Sequence, residues 1–265
     1  MNSPNRFNPD SSWKNQPQTS SDQAICVSHL GVNYRQFEAL TDVNAVIRPG
    51  RLTGIIGPNG AGKSTLIKAM LGLTPILSGR VLYQGKPLME QRDRIAYVPQ
   101  RSQIDWTYPA TVWDVVMMGR AKKTGWFRRY SNVSRQIASD AIARVGMSDY
   151  RNRKIGDLSG GQQQRVFLAR SLAQQAEIFC FDEPFVGIDQ KTETVLFEIF
   201  HELAAAGKIV VVVNHDLGES ITHFDDLILL NRELIACGGR QQVLRSDNMY
   251  RAYQGQVQFF SDRAA

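Results

Sequence analysis

A chain of 265 residues is long enough for one large domain with a real core, or for two small ones. Its 43% apolar and 21% charged residues exclude wholesale disorder, and a net charge of +6 without long basic runs fits phosphate ligands or an anionic membrane surface better than a dedicated nucleic-acid binder. The cysteines Cys26, Cys180 and Cys237 form no CxxC pair and the four histidines show no metal-ligand spacing, so the sequence supports neither a disulfide framework nor a zinc site, and it suits a reducing compartment.

Residues 1–23, rich in Asn, Ser, Gln and Pro, read as a flexible polar tail without the apolar stretch of a secretory signal. From 24 to 56 the short β-branched runs "AICVSHL", "VNAVI" and "LTGII" predict strands separated by turns. A Gly-rich loop and a helix over about 63–72 follow, then strand-like "GRVLYQ" and "RIAYVP". Between about 101 and 175 the pattern turns mostly helical, with "TVWDVVMMGR" and "NVSRQIASDAIARVGM" as helices. This insertion, about 101–165, is expected to form its own lobe. Strands return in "EIFCF", "KIVVVV" and "DLILL", alternating with helical segments such as 190–206. The alternation indicates an α/β fold with a parallel sheet. The domain is placed at 24–245, with 246–265 expected as a C-terminal tail. The longest apolar run, "IVVVV", is far too short to span a bilayer.

Three motifs carry chemistry. "GPNGAGKST" gives G-x-x-x-x-G-K-S between an apolar strand and a helix, the setting a phosphate-binding loop requires. Backbone N–H groups of Gly57, Pro58–Gly62 (where a residue has one) and Thr65 close around phosphate; Asn59, Gly60, Ala61 and Gly62 shape that loop, Lys63 reaches the outer phosphates, and Ser64 ligates magnesium. "EIFCFDEP" ends a buried strand on Asp182, aimed at the magnesium shell, and on Glu183, able to orient and deprotonate water. "LSGGQ", Leu158, Ser159, Gly160, Gly161 and Gln162, opens a helix with little side-chain bulk, which leaves its N–H groups and dipole open to an anion. Tyr34 reads alone as an edge-strand aromatic, and Gln100 and His215 as polar strand-end residues.

Taken in order, these features give the chain from about 24 to 245 a specific resemblance to the ATP-binding-cassette ATPases. The resemblance implies a P-loop NTPase (RecA-like) core with an antiparallel β subdomain and an inserted α-helical subdomain. It implies ATP and Mg2+ as cofactors. Tyr34 would stack on adenine, Gln100 would sense magnesium and the transport partner, and Glu183 and His215 would be catalytic, the latter at the γ-phosphate. LSGGQ would be a signature motif that meets ATP bound to a second copy, and Asp189 would belong to a D-loop linking the two sites. The implied partners are a second ATPase copy in a head-to-tail homodimer, integral membrane permease subunits and, indirectly, a substrate-binding protein, with no nucleic acid. The implied place is the cytoplasmic face of the plasma (inner) membrane, held there peripherally.

The stretch "VPQRSQIDWTYPATVWDVVMMGR" with "GWFRRYS" is similar to the manganese, zinc and iron-chelate uptake branch. Trp106, Tyr108 and Trp113 there either meet a partner or pack the helical lobe. The basic run Lys122, Lys123, Arg128 and Arg129 reads three ways: a solvated loop, a contact with anionic headgroups, or nucleic-acid binding. "FVGIDQ" departs from the Ser-Ala-Leu-Asp-like run of many members but keeps Asp189. A siderophore or cobalamin importer shares the same core and stays an alternative. A cassette ATPase acting on ribosomes or DNA is the alternative from another class; tandem cassettes or a coiled-coil insertion would mark it, and neither is present.

Overall fold

The computed structural model describes residues 23–34, 37–125, 129–215 and 217–253. Nearly all of the expected N-terminal tail, and Trp126, Phe127 and Arg128 of the basic run, lie outside these residues.

In chain order, β1 (Ile25–Tyr34) and β2 (Phe37–Ile47) pair antiparallel, β3 (Leu52–Ile56) leads into α1 (Lys63–Met70), and β4 (Ser78–Tyr83) and β5 (Lys86–Pro87) precede β6 (Ile95–Val98). Helices α2 (Val112–Met118), α3 (Ala121–Thr124), α4 (Asn132–Arg144) and α5 (Gly160–Gln174) come next. Then follow β7 (Ile178–Asp182), α6 (Gln190–Ala205), β8 (Ile209–Val213), β9 (Asp226–Asn231), β10 (Glu233–Gly239), α7 (Arg240–Val243) and α8 (Ser246–Tyr253). One sheet is antiparallel, in the order β2-β1-β4-β5; the other runs β10-β9-β3-β8-β7-β6, parallel except where β10 pairs with β9.

The parallel sheet is buried on both faces, which is why its strands are continuous apolar runs. Alternation divides each strand between two cores. Phe179 and Phe181, Val210 and Val212, and Leu227 and Leu229 face the helices, while Ile178 and Cys180, Val211 and Val213, and Ile228 and Leu230 face the antiparallel sheet and α1. On the helical side Phe181 packs on Phe200 of α6, with ring centroids 4.5 Å apart. Val112, Val116, Ile142, Val166 and Phe167 of the helical insertion belong to the same buried cluster as Phe179 and Val210, so the insertion and the sheet share one core. Local signals set its helix starts: Thr111 and Asp114 form a reciprocal capping box at α2, and Ser131 caps α4 by accepting from Ser134 N.

Two expectations need correction. The strand β10 went unread because its burial is only partial and two glycines end it. The segment from 246 is not all tail: α8 buries Met249 and Ala252, and Asn231 Nδ2 donates to Ala252 O at 3.0 Å. A helix with two anchors in eight residues reads as polar in sequence, yet it closes the core beside β9. Met249→Ala should therefore destabilise the protein by roughly 2–5 kcal/mol, as removal of a buried Met side chain does. A chemical denaturation midpoint equal to that of the unaltered chain would return α8 to the status of a tail.

Candidate nucleotide site

Four parallel strands end on the same edge. Ile55 pairs with Val213, Asp182 with Val213, and Val98 with Phe181. Ligands of open parallel sheets sit outside such carboxyl ends. Here that edge carries the 57–64 loop after β3, Gln100 after β6, Asp182 and Glu183 at β7, and His215 after β8. Asn214 N donates to Ile55 O at 3.0 Å, which fixes the segment leading into His215 against the strand that feeds the loop.

The loop is shaped by close approach. Gly57 has φ +148°, and a Cβ there would lie 2.1 Å from Leu230 O, so no other residue fits without moving β9. No side chain caps α1, and its first turn contains no acidic residue, so the helix start is left to an anionic ligand. Lys63 is buried and its Nζ donates to Gly57 O at 2.9 Å and to Pro58 O at 3.0 Å. Burial lowers its pKa, and the carboxylates of Glu183 and Asp182 oppose that shift.

Asp182 is 1% exposed, and Ser64 Oγ donates to its Oδ1 at 2.8 Å. Its Oδ2 is buried without a hydrogen-bond partner, and so is the hydroxyl of Tyr97. Burial raises the pKa of Asp182 above the usual carboxylate range, with the Ser64 bond opposing; burial and the Asp182 charge raise that of Tyr97. An orphaned carboxylate oxygen beside a hydroxyl is a hard-oxygen donor set, and magnesium is bound in this way, by one or two protein oxygens plus substrate phosphates. The residues fit that ion. Among the described residues no cluster of three or more His, Cys, Asp or Glu could cage a metal on protein ligands alone.

Glu183 adopts φ +52°, a left-handed conformation that a glutamate takes only where its surroundings impose it. Its Oε2 accepts from Gln100 Nε2 at 2.7 Å. Gln100, to which the resemblance gave a magnesium role, thus has its amide nitrogen donating to Glu183, and its carbonyl oxygen is the atom of that side chain chemically able to meet an ion. His215 is exposed at the end of β8. Tyr34 is 44% exposed at the end of β1, and its hydroxyl lies 3.3 Å from Thr74 Oγ1, just past α1.

Among the described residues no hydrogen bond joins 158–162 to 57–65. Ser159 caps α5 through a full capping box: Gln162 N donates to Ser159 Oγ at 3.3 Å, and Ser159 N to Gln162 Oε1 at 2.9 Å. The glycine pair lies against the start of α6, where Asp189 is the N-cap, accepting from Thr192 N at 2.8 Å. That backbone bond holds the Asp189 carboxyl below its ordinary pKa. Sequence reasoning missed Tyr97 and Arg101. Tyr97 sits in an apolar run where a phenol reads as ordinary core, and Arg101 was passed over beside Gln100.

The raised pKa of Asp182 has a sign that can be tested. The folded protein holds this proton to higher pH than the unfolded chain, so stability falls as pH rises from the unfolded carboxylate range through the raised value, and is level above it. Asp182→Asn keeps an oxygen acceptor for Ser64 but removes the buried charge. Its thermal midpoint should match the parent's at about pH 4 and exceed it at about pH 7; a midpoint lower than the parent's at pH 7 would mean the charge is stabilised in place.

Comparison with known proteins agrees with this geometry. Residues 40–186 match the ABC transporter family. A probable ABC transporter ATP-binding protein of Cyanophora paradoxa is 50% identical over 84% of this chain and 91% of its own length. The manganese transport system ATP-binding protein MntB of Halalkalibacterium halodurans is 46% identical over 90% of this chain and 95% of its own. The zinc transport system ATP-binding protein TroB of Treponema pallidum is 46% identical over 88% of each. Among solved structures, an ATP-binding cassette of an ABC transporter in its ADP conformation superposes with a TM-score of 0.75 at 25% identity, covering 88% of this chain and 98% of that one. A dimeric bacterial ABC transporter cassette gives 0.73 at 27% identity, covering 82% and 98%. Cassettes of this kind bind nucleotide, work as dimers with membrane permease subunits and hydrolyse ATP. The chain belongs to the ABC transporter family as an ATPase cassette.

Proposed function

We propose that the chain is the ATP-hydrolysing subunit of an importer that takes up a transition metal, manganese or zinc, through separate membrane subunits and an associated substrate-binding protein. The names of the manganese and zinc transport relatives, matched over nearly their whole length, are the observation that carries this reading. No helix among the described residues is long and apolar enough to cross a membrane, which fits a subunit held peripherally at the cytoplasmic face by its permease.

In this reading the backbone N–H groups of the 57–64 loop and Lys63 take the phosphates of ATP, and Tyr34 takes the adenine. Ser64 and Asp182 would hold magnesium, with the Gln100 carbonyl as a further donor, and the bound ion would neutralise phosphate charge. Glu183, held by Gln100, orients the attacking water and accepts its proton, and His215 contacts the γ-phosphate. Two copies associate head to tail. The start of α5, capped by Ser159, then closes on the γ-phosphate bound to the partner, and Asp189 carries the link between the two sites.

Glu183→Gln keeps size and shape and removes the base. Turnover should fall by roughly 10²–10⁴, the usual worth of general-base assistance, with ATP binding retained and a dimer persisting on size-exclusion chromatography in ATP but not ADP. A turnover equal to the parent's would leave Glu183 a structural acid. Deleting the gene should lower cellular manganese or zinc under scarcity, with growth restored by added metal. Normal metal content with a defect in siderophore or cobalamin use would move the cargo to that branch.

A further inference from the structure

Arg101 joins three segments that the fold otherwise holds on separate elements. It follows Gln100 directly, and its backbone opens the short 3-10 turn 101–103. Its Nε and Nη2 both donate to Gln163 Oε1, at 3.1 and 2.8 Å. Gln163 is 4% exposed in the first turn of α5, and its own amide donates to Ile155 O at 3.0 Å, so it is a fixed anchor. The remaining nitrogen, Nη1, lies over the glycines. A Cβ on Gly160 would be 3.0 Å from Nη1 and 3.1 Å from Gly187 O, and a Cβ on Gly187 would be 3.8 Å from the same nitrogen. The guanidinium also stands 5.6 Å from the centre of the Trp106 ring, whose Nε1 donates back to Arg101 O at 3.1 Å and whose edge meets Phe167 of α5.

We propose that Arg101 is a positioning residue that ties the first turn of α5, Ser159 to Gln163, to the Gln100–Glu183 contact and to the segment through Gly187. The peptide shared by Gln100 and Arg101 is the physical link. A backbone shift at Gln100 that makes or breaks its 2.7 Å bond to Glu183 also moves Arg101, and the forked bond carries that displacement into α5. A planar guanidinium suits the task because its two N–H groups converge on one oxygen and so constrain the plane as well as the distance, which a lysine ammonium does not. Gly160 is small for this reason within one chain. A Cβ there would force the guanidinium or the Gly187 carbonyl to shift by a few tenths of an ångström.

The inference rests on the ATPase reading, and its test is arranged so that the two fail differently. The full-length chain is measured as parent, Arg101→Ala, Arg101→Lys, Gln163→Ala and the Arg101→Ala/Gln163→Ala pair. The readouts are the affinity of the monomer for a fluorescent ATP analogue, kcat, and the protein concentration at which ATP drives dimer formation. Arg101→Ala and Gln163→Ala should each leave monomer affinity within about twofold, lower kcat about tenfold and raise the dimerisation midpoint, and the pair should be no worse than Gln163→Ala alone, which has already lost the bond to Arg101 together with its own bond to Ile155 O. Arg101→Lys keeps the charge and should recover only part of the loss; full recovery would overturn the role of the fork. Losses that multiply in the pair, monomer affinity that falls as far as kcat, or Arg101→Ala with parental kcat and dimerisation would each sink the proposal. A parent chain that neither binds nor hydrolyses ATP would remove the ATPase reading itself.

Discussion

The hydrogen bond from Ser64 to Asp182 spans 118 residues of sequence and closes the site. It sets the start of α1 against the end of β7, and every other feature of the edge is placed relative to that pair. The bond needs an aspartate at the end of a strand with no exposed residue, where a charge is costly. In the proposed function that cost is offset when the second carboxylate oxygen meets the ion that accompanies the phosphates. Stability of the free chain and readiness for an ion are opposed at Asp182.

Much of this was legible in the sequence because it depends on short-range chemistry. The 57–65 run announces its loop through glycine spacing between an apolar strand and a helix, and "FCFDE" announces a carboxylate delivered by a buried strand. The order of the strands was not legible. That β3 lies between β8 and β9, so that residues after 56, 182 and 213 meet, is a long-range result which local periodicity does not encode. The same limit explains Arg101, whose partner lies 62 residues away, and Tyr97, which is buried in the neighbourhood of the Asp182 charge. α8 was missed for a different reason: two buried side chains in eight residues give too weak a pattern to separate from a polar tail.

The start of α5 is both a capped helix end and the anion site that the sequence suggests. As a local object it is an ordinary capped helix, with Ser159 and Gln162 satisfying one another's backbone N–H groups. That does not use up the helix dipole, and it makes the first turn rigid. A rigid turn whose glycines face Arg101 and the start of α6 responds to those neighbours as a unit. The cap thus serves whatever the turn is later asked to contact.

The left-handed backbone at Glu183 has an evolutionary consequence. A glutamate at φ +52° carries strain on the order of 1–3 kcal/mol, which glycine would not. A laboratory selection that rewards only heat resistance would therefore enrich Glu183→Gly and similar changes, gaining robustness by discarding the carboxylate. Persistence of glutamate at such a position through rounds of random mutagenesis would be a signature that the culture still depends on the activity, readable from sequencing alone with no assay of the protein.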